Sequence, residues 1–300
     1  MNSPSPLDSI QLNFSQSDLL LLNLALALIM YGVALDLRLE DFKYLIKHPK
    51  PFFVGVLAQF ILLPFLTWCL ILAIQPPPSV ALGMFLVAAC PGGNVSNFLS
   101  NLAKGNTALS VSLTGFSTVF SILSTPLNFA LWAGLYGPTS HLLQEISLDI
   151  SQVFVTVGMI LGIPLFLGIA TRTLADRWAD RFRKVLQPLS LLIFACFVIL
   201  AFAGNFDIFL QYISRIFLWV LAHNLLALST GFFSAKAFKL PLADVKTLSI
   251  ETGIQNSGLG LVLIFTYFDG LGGMAVITAL WGIWHLISGI AIAGYWKSKA

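Results

Sequence analysis

The sequence predicts an all-α polytopic membrane protein of about nine transmembrane helices, built as two inverted halves. Three observations predict it. Apolar windows long enough to span a bilayer recur along the chain, basic residues collect in every second loop, and two windows five crossings apart are interrupted by helix-breaking residues. Composition agrees. Apolar residues are 57% of the 300 and charged residues 10%, against about 25% charged in an ordinary soluble domain. Mean hydropathy is +0.88. The three cysteines, Cys69, Cys90 and Cys196, lie in apolar segments without ligand spacing and read as small hydrophobes.

Residues 1–17 are polar, with no Lys or Arg, and so lack the basic start of a secretory signal; they read as a short flexible extracytoplasmic tail. The apolar windows then run near 18–35, 51–74, 79–103, 106–134, 149–171, 185–205, 209–235, 241–267 and 271–295. The fourth and seventh are long enough to tilt or bend, and Pro126 gives the fourth a specific cause. With the tail outside, Arg38, Lys43, Lys47 and Lys50 fall inside, as do Lys104, the group from Arg172 to Lys184, Lys236, Lys239, Lys297 and Lys299. Only Arg215 falls toward the outer side, where it reads as an interfacial snorkelling residue. The positive-inside rule therefore puts the N-terminus outside and residues 296–300 in the cytoplasm, in a plasma membrane or bacterial inner membrane.

The third window contains Cys90-Pro91-Gly92-Gly93-Asn94-Val95-Ser96-Asn97, in which a proline and two glycines oppose helix between apolar flanks. The eighth contains Ile250-Glu251-Thr252-Gly253-Ile254-Gln255-Asn256-Ser257-Gly258. Non-helical backbone at membrane depth is tolerated only inside protein or along a cavity. Five crossings between the breaks make the two windows antiparallel. Shifting by five pairs window one with six, two with seven and four with nine, and leaves the fifth alone.

Four polar groups fall inside apolar windows: Gln59; Asn94, Ser96 and Asn97; Ser110 and Thr114; and Glu251, Gln255 and Asn256. All are neutral oxygen donors except Glu251. A carboxylate at a helix centre costs about 2.5–3.5 kcal/mol on insertion scales, so it needs a function or a cation beside it. Oxygen shells suit hard cations, and two Na+ sharing one Glu fit this set. Taken alone, Ser110 and Thr114 read first as residues that pack helices or bond to the preceding turn. Gln59 alone is equally an interhelical hydrogen bond. His285, and the pair His223-Asn224, read first as structural. The sequence has no HExxH, GxSxG or P-loop motif, which excludes the corresponding hydrolase and ATP-driven readings, and its basic loops are juxtamembrane patches rather than nucleic-acid surfaces. An ion channel would share the breaks and polar groups. A receptor would need larger loops.

The run from Ala89 to Asn97, then Lys104-Gly105-Asn106 and Leu109-Ser110, resembles the bile acid:sodium symporter family. So do Glu251-Thr252-Gly253-Ile254-Gln255-Asn256, and the stretch from Lys47-His48-Pro49-Lys50 through Ala58-Gln59-Phe60 to Pro64. The resemblance runs from residue 18 to 295 and is closest to the nine-helix form. It implies that two broken helices cross in a core domain, mainly 51–134 and 209–295, beside a panel domain, mainly 18–35 and 149–205. It also implies one Na+ at Ser96, Asn97, Ser110, Thr114 and Glu251, and a second at Gln59, Glu251 and Gln255 with backbone oxygens near Thr252 and Ile254. Substrate would lie near Asn94, Asn256 and His285. The implied activity is Na+-coupled import of an organic anion, such as a bile acid or steroid conjugate, by alternating access. The alternative cargo is a small carboxylate of the pantoate or keto acid type. One departure, Ser257-Gly258-Leu259-Gly260, falls where bile acid carriers commonly have bulkier or polar residues.

Overall fold

The computed structural model describes residues 6–10, 16–35, 37, 39–93, 95–146, 151–152, 155, 158–203 and 206–299. They are helical almost throughout. The first helices are α1 (Gln16–Ala34), α2 (Leu39–Lys47), α3 (Pro49–Ile74), α4 (Pro78–Ala89) and α5 (Val95–Leu102). Next come α6 (Thr107–Leu135), α7 (Gly137–Ile146), α8 (Gly158–Leu174) and α9 (Asp176–Ala203). The last four are α10 (Phe206–Ala237), α11 (Leu242–Gly253), α12 (Ser257–Tyr267) and α13 (Gly272–Ser298). By length and composition, α3, α6, α10 residues Leu210–Ala237 and α13 are long and apolar enough to cross a membrane. Shorter apolar helices lie at Asn23–Ala34, Pro78–Ala89, Gly158–Leu174 and Ser257–Tyr267. The chain is thus an all-α polytopic membrane protein.

Proline chemistry explains two irregular turns. In α3, residues Ala58–Leu62 form a wide π turn, and the Leu63 N–H reaches back five residues to the Ala58 carbonyl. Pro64 follows; having no N–H, it leaves the Phe60 carbonyl without its usual α-helical donor. The same offset recurs in α8, where the π turn Gly158–Gly162 precedes Pro164. The first of these turns carries Gln59. Pro126, by contrast, sits inside α6 without ending it.

The N-terminal stretch departs from a flexible tail at residues 6–10. Pro6–Asp8 form a short 3-10 turn with Leu7 buried. Asp8 Oδ1 accepts the Ser79 N–H at 2.8 Å, capping the start of α4, and Ser79 Oγ donates to the Leu7 carbonyl at 3.1 Å. The Ile10 carbonyl accepts the Gly272 N–H at 2.7 Å at the head of α13. Helix starts carry unsatisfied donors, and these five residues supply acceptors to two of them.

Polar pins fix other junctions. The Asn106 side chain caps α6 by accepting the Leu109 N–H, and its amide donates to Tyr44 Oη on α2 and Asp244 Oδ1 on α11, both at 2.8 Å. Lys246 Nζ donates to the Ala103 carbonyl at 2.9 Å. The Lys104-Gly105-Asn106 turn is therefore sewn to α11. On α8, Arg172 Nε donates to the Leu35 carbonyl at 2.6 Å, while its Nη1 meets Asp176 and Asp180 at 2.8 and 2.7 Å. The two aspartates are 61% and 50% exposed, so these ion pairs add little. The buried bond to Leu35 matters more. Arg172→Lys is expected to lose that donor geometry and about 1–2 kcal/mol, read as a lower melting temperature of the purified protein.

Candidate functional site

Both predicted interruptions are present, and each supplies what the other lacks. α4 ends at Ala89 and Cys90 turns to extended backbone (φ −67°, ψ 154°) before α5 begins at Val95. α11 ends at Gly253 and Ile254 is extended (φ −114°, ψ 100°) before α12 begins at Ser257. The two pieces run antiparallel with Gly92 opposite Gln255. The Gly93 N–H donates to the Ile254 carbonyl and the Asn256 N–H to the Pro91 carbonyl, both at 2.8 Å. Backbone groups that a lipid interior would leave unpaid are thus satisfied across the gap.

Beside this bridge lies the Glu251 carboxylate, 5% exposed. Its Oε1 accepts from Ser96 Oγ at 2.6 Å, from Thr114 Oγ1 at 3.2 Å and from Ser110 Oγ. Its Oε2 accepts from Thr114 at 3.0 Å. Asn97 Oδ1 lies 2.9 Å from Ser110 Oγ and 3.1 Å from Thr114 Oγ1 as an alternative acceptor for their single protons, and Ser96 and Thr114 oxygens stand 3.3 Å apart. Four neutral side-chain oxygens, from Ser96 and Asn97 on α5 and Ser110 and Thr114 on α6, therefore gather at the Glu251 carboxylate of α11. Among the described residues, all hydrogen bonds that reach the carboxylate come from hydroxyls and no partner of it is basic. Gly92 lets the backbone pass close by: a Cβ there would stand 3.1 Å from Glu251 Oε2.

The second predicted group assembles across the bridge. Gln59 Nε2 donates to Gln255 Oε1 at 2.8 Å and to the Cys90 carbonyl at 3.1 Å. Gln255 Nε2 returns a bond to Gln59 Oε1 at 3.2 Å and donates to the Thr252 carbonyl at 2.7 Å. The Ile254 carbonyl serves the bridge to Gly93. Between the two groups is a pocket of about 10 Å³, lined by Gly55, Gln59, Gly92, Ser117, Glu251 and Thr252 among others. That is room for about one water-sized particle, whereas ligand pockets for organic molecules run to about 300–1,000 Å³.

The predicted substrate residues are less gathered. Asn94 lies outside the described residues. Asn256 caps α12, its Oδ1 accepting the Leu259 N–H at 3.1 Å. His285 is buried on α13; among the described residues its Nδ1 has no hydrogen-bond partner and no hydrogen bond joins it to Asn256.

Sequence reading missed Thr125 and Ser117 and took Asn224 only as structural; the structure gives all three a place at the breaks. Thr125 Oγ1 donates to the Ala89 carbonyl at 2.8 Å, and Asn224 Nδ2 to the Gly253 carbonyl at 2.9 Å. Ser117 lines the small pocket. A polar side chain in an apolar window was the available signal for all three, but it does not name the carbonyl served.

The profile of the Sodium Bile acid symporter family matches residues 23–212. The uncharacterized sodium-dependent transporter YocS of Bacillus subtilis (strain 168) is 34% identical over 274 residues, 91% of this chain and 82% of that protein. A probable chloroplastic sodium/metabolite cotransporter BASS1 of Arabidopsis thaliana is 30% identical over 278 residues, 92% of this chain and 66% of its own length. The P3 protein of Homo sapiens is 28% identical over 264 residues, 88% of this chain and 54% of its length. The chain thus spans most of the bacterial relative and between about half and two thirds of the other two. A match covering 91% of the chain is too long to omit either break. Since the profile takes in more than half of the residues and the bacterial protein is alike over most of its length, the chain belongs to the sodium bile acid symporter family, a family of sodium-coupled secondary transporters rather than enzymes.

Proposed function

We propose that the protein imports an organic anion together with two Na+ by alternating access. The observation that carries this reading is the buried Glu251 carboxylate ringed by neutral oxygens with no basic partner among the described residues. A charge so placed asks for a small hard cation. A hydroxyl keeps two lone pairs besides its proton, so Ser96, Ser110 and Thr114 turn from donors into ligands by rotating one O–H each. With Asn97 Oδ1 and Glu251 they make the first site. Gln59, Gln255, Glu251 and the carbonyls of Thr252 and Ile254 make the second. The first site joins α5, after the first break, to α11, before the second, and the second site ties α3 to the second break, so bound Na+ holds these segments together. The half-helix starts at Val95 and Ser257 then turn positive ends toward an anion near Asn94, Asn256 and His285.

In this reading nine transmembrane helices form two inverted halves. α3 to α6 answer α10 to α13 in a core, and α1, α8 and α9 form the panel that moves against it. The N-terminus lies outside and the C-terminus in the cytoplasm. The cargo class is an organic anion of the bile acid or steroid type. The plastid relative's description as a sodium/metabolite cotransporter favours a second reading, a small carboxylate such as pantoate or a keto acid.

Two results test the proposal. In detergent, NaCl is expected to raise the melting temperature above that in choline chloride of equal concentration; at 100 times Kd one bound ion adds about 2.7 kcal/mol. An anion screen in Na+ then identifies cargo by further stabilisation. In proteoliposomes, that anion is expected to accumulate only with an inward Na+ gradient. A negative interior should speed uptake, since two Na+ with one monoanion move one net charge, worth about 2.3 kcal/mol per 100 mV. Equal uptake in Na+ and choline would refute coupling, and non-saturating conductance would mark a channel.

A further inference from the structure

We infer that Asn224 is a positioning residue for the cation site, the counterpart on α10 of Gln59 on α3. The inference rests on the functional reading above. A helix that stops inside the membrane leaves carbonyls without donors at its last turn. At the first break the Cys90 carbonyl receives Gln59 Nε2 at 3.1 Å. At the second, the Gly253 carbonyl receives Asn224 Nδ2 at 2.9 Å. Each donor is a carboxamide on the long helix that the inverted pairing matches to the other, and each bonds to the chain where a half-helix gives out.

The other end of Asn224 is also engaged. Its Oδ1 accepts Ser288 Oγ at 2.6 Å, on α13, and Ser288 Oγ lies 3.2 Å from the His285 carbonyl. The amide orientation follows from chemistry: the Gly253 carbonyl only accepts, so Nδ2 must face it, and the hydroxyl is free to donate to Oδ1. Asn224 is buried, 1% exposed, which leaves the Gly253 carbonyl no easy substitute from solvent. One side chain thus ties α10 to α13 and to the residue that follows Thr252. Gly253 stands one residue past a carbonyl of the second Na+ site and two past Glu251. Asn224 fixes where both lie, and joins them to the helix that carries His285.

The test is the Na+ dependence of melting, with choline holding ionic strength constant. Asn224→Asp keeps the shape and puts an oxygen against the Gly253 carbonyl; its Na+ midpoint is expected to rise at least 10-fold. Ser288→Ala leaves the donor to Gly253 but frees Oδ1; its midpoint is expected to rise about 3-fold. A purely structural role lowers the melting temperature equally at every Na+ concentration and leaves both midpoints at the wild-type value, which overturns the inference. If Asn224→Asp cannot be recovered folded, an unmoved midpoint in Ser288→Ala overturns it alone. A wild-type protein whose melting ignores Na+ overturns the functional reading itself, a distinguishable failure.

Discussion

Glu251→Gln is expected to abolish Na+-dependent uptake and the Na+ response of melting while leaving the protein folded. The substitution keeps length and shape and removes one charge from a cluster whose other oxygens, on Ser96, Asn97, Ser110 and Thr114, are neutral. At an effective dielectric of about 20, a unit charge about 4 Å from a cation is worth about 4 kcal/mol, or on the order of 1000-fold in affinity. In Na+-free buffer the sign reverses. An unpaired carboxylate is costly inside a protein, so the Gln variant should melt no lower than the wild type there. Its amide retains an oxygen for the hydroxyls, and Thr114 can turn to accept the new N–H. The paired measurement separates loss of ion binding from loss of fold. Undiminished Na+-driven transport by E251Q would remove the carboxylate from the mechanism.

Gly231→Val is expected to be the most damaging substitution for stability. Gly231 lies where α10 packs directly against the α11 main chain. A Cβ there would fall 2.1 Å from the Leu248 carbonyl oxygen, 2.6 Å from its carbon and 2.8 Å from Ser249 Cα. These are main-chain atoms of a helix, with no rotamer to escape into, and Ser249 Oγ is itself bonded to the Leu228 carbonyl at 2.8 Å. The helices must separate, which strains the segment leading into Glu251. A cost of about 3 kcal/mol or more is expected, seen as a large fall in melting temperature or loss of a monodisperse peak in detergent. Gly134→Ala is the control, since a Cβ there meets nothing within 4 Å. An alanine in that helical position should stabilise by about 0.5–1 kcal/mol. A neutral result for Gly231→Val would mean that α10 and α11 do not pack this closely.

The breaks and the lone acid were legible in the sequence because each has a local cost. Pro91, Gly92 and Gly93 oppose helix wherever they stand, and Glu251 is expensive in any apolar run. Ser96, Asn97, Ser110 and Thr114 stood out by polarity, and the structure brings them to one carboxylate. Which of these residues meet was implied only by the family resemblance; local pattern could not show it, because the partners lie far apart in the chain. Nothing near Gly92 announces Gln255, and nothing near Asn224 announces Gly253. Residues 6–10 misled for the reverse reason: Pro6, Asp8 and Ser9 look like solvent-loving tail, but Asp8 is a helix cap and Leu7 is buried. The π turn at Gln59 had its signal in Pro64, which read simply as part of an apolar window.

That small N-terminal clasp has a practical side. Because Leu7, Asp8 and Ile10 close over the first residues of α4 and α13, a bulky affinity handle or fluorescent fusion joined just ahead of Pro6 is expected to disturb both helix starts. Handles belong beyond Ser298 instead. Conversely, a reporter dye at exposed Ser9 sits where loosening of those helix heads would first change its signal.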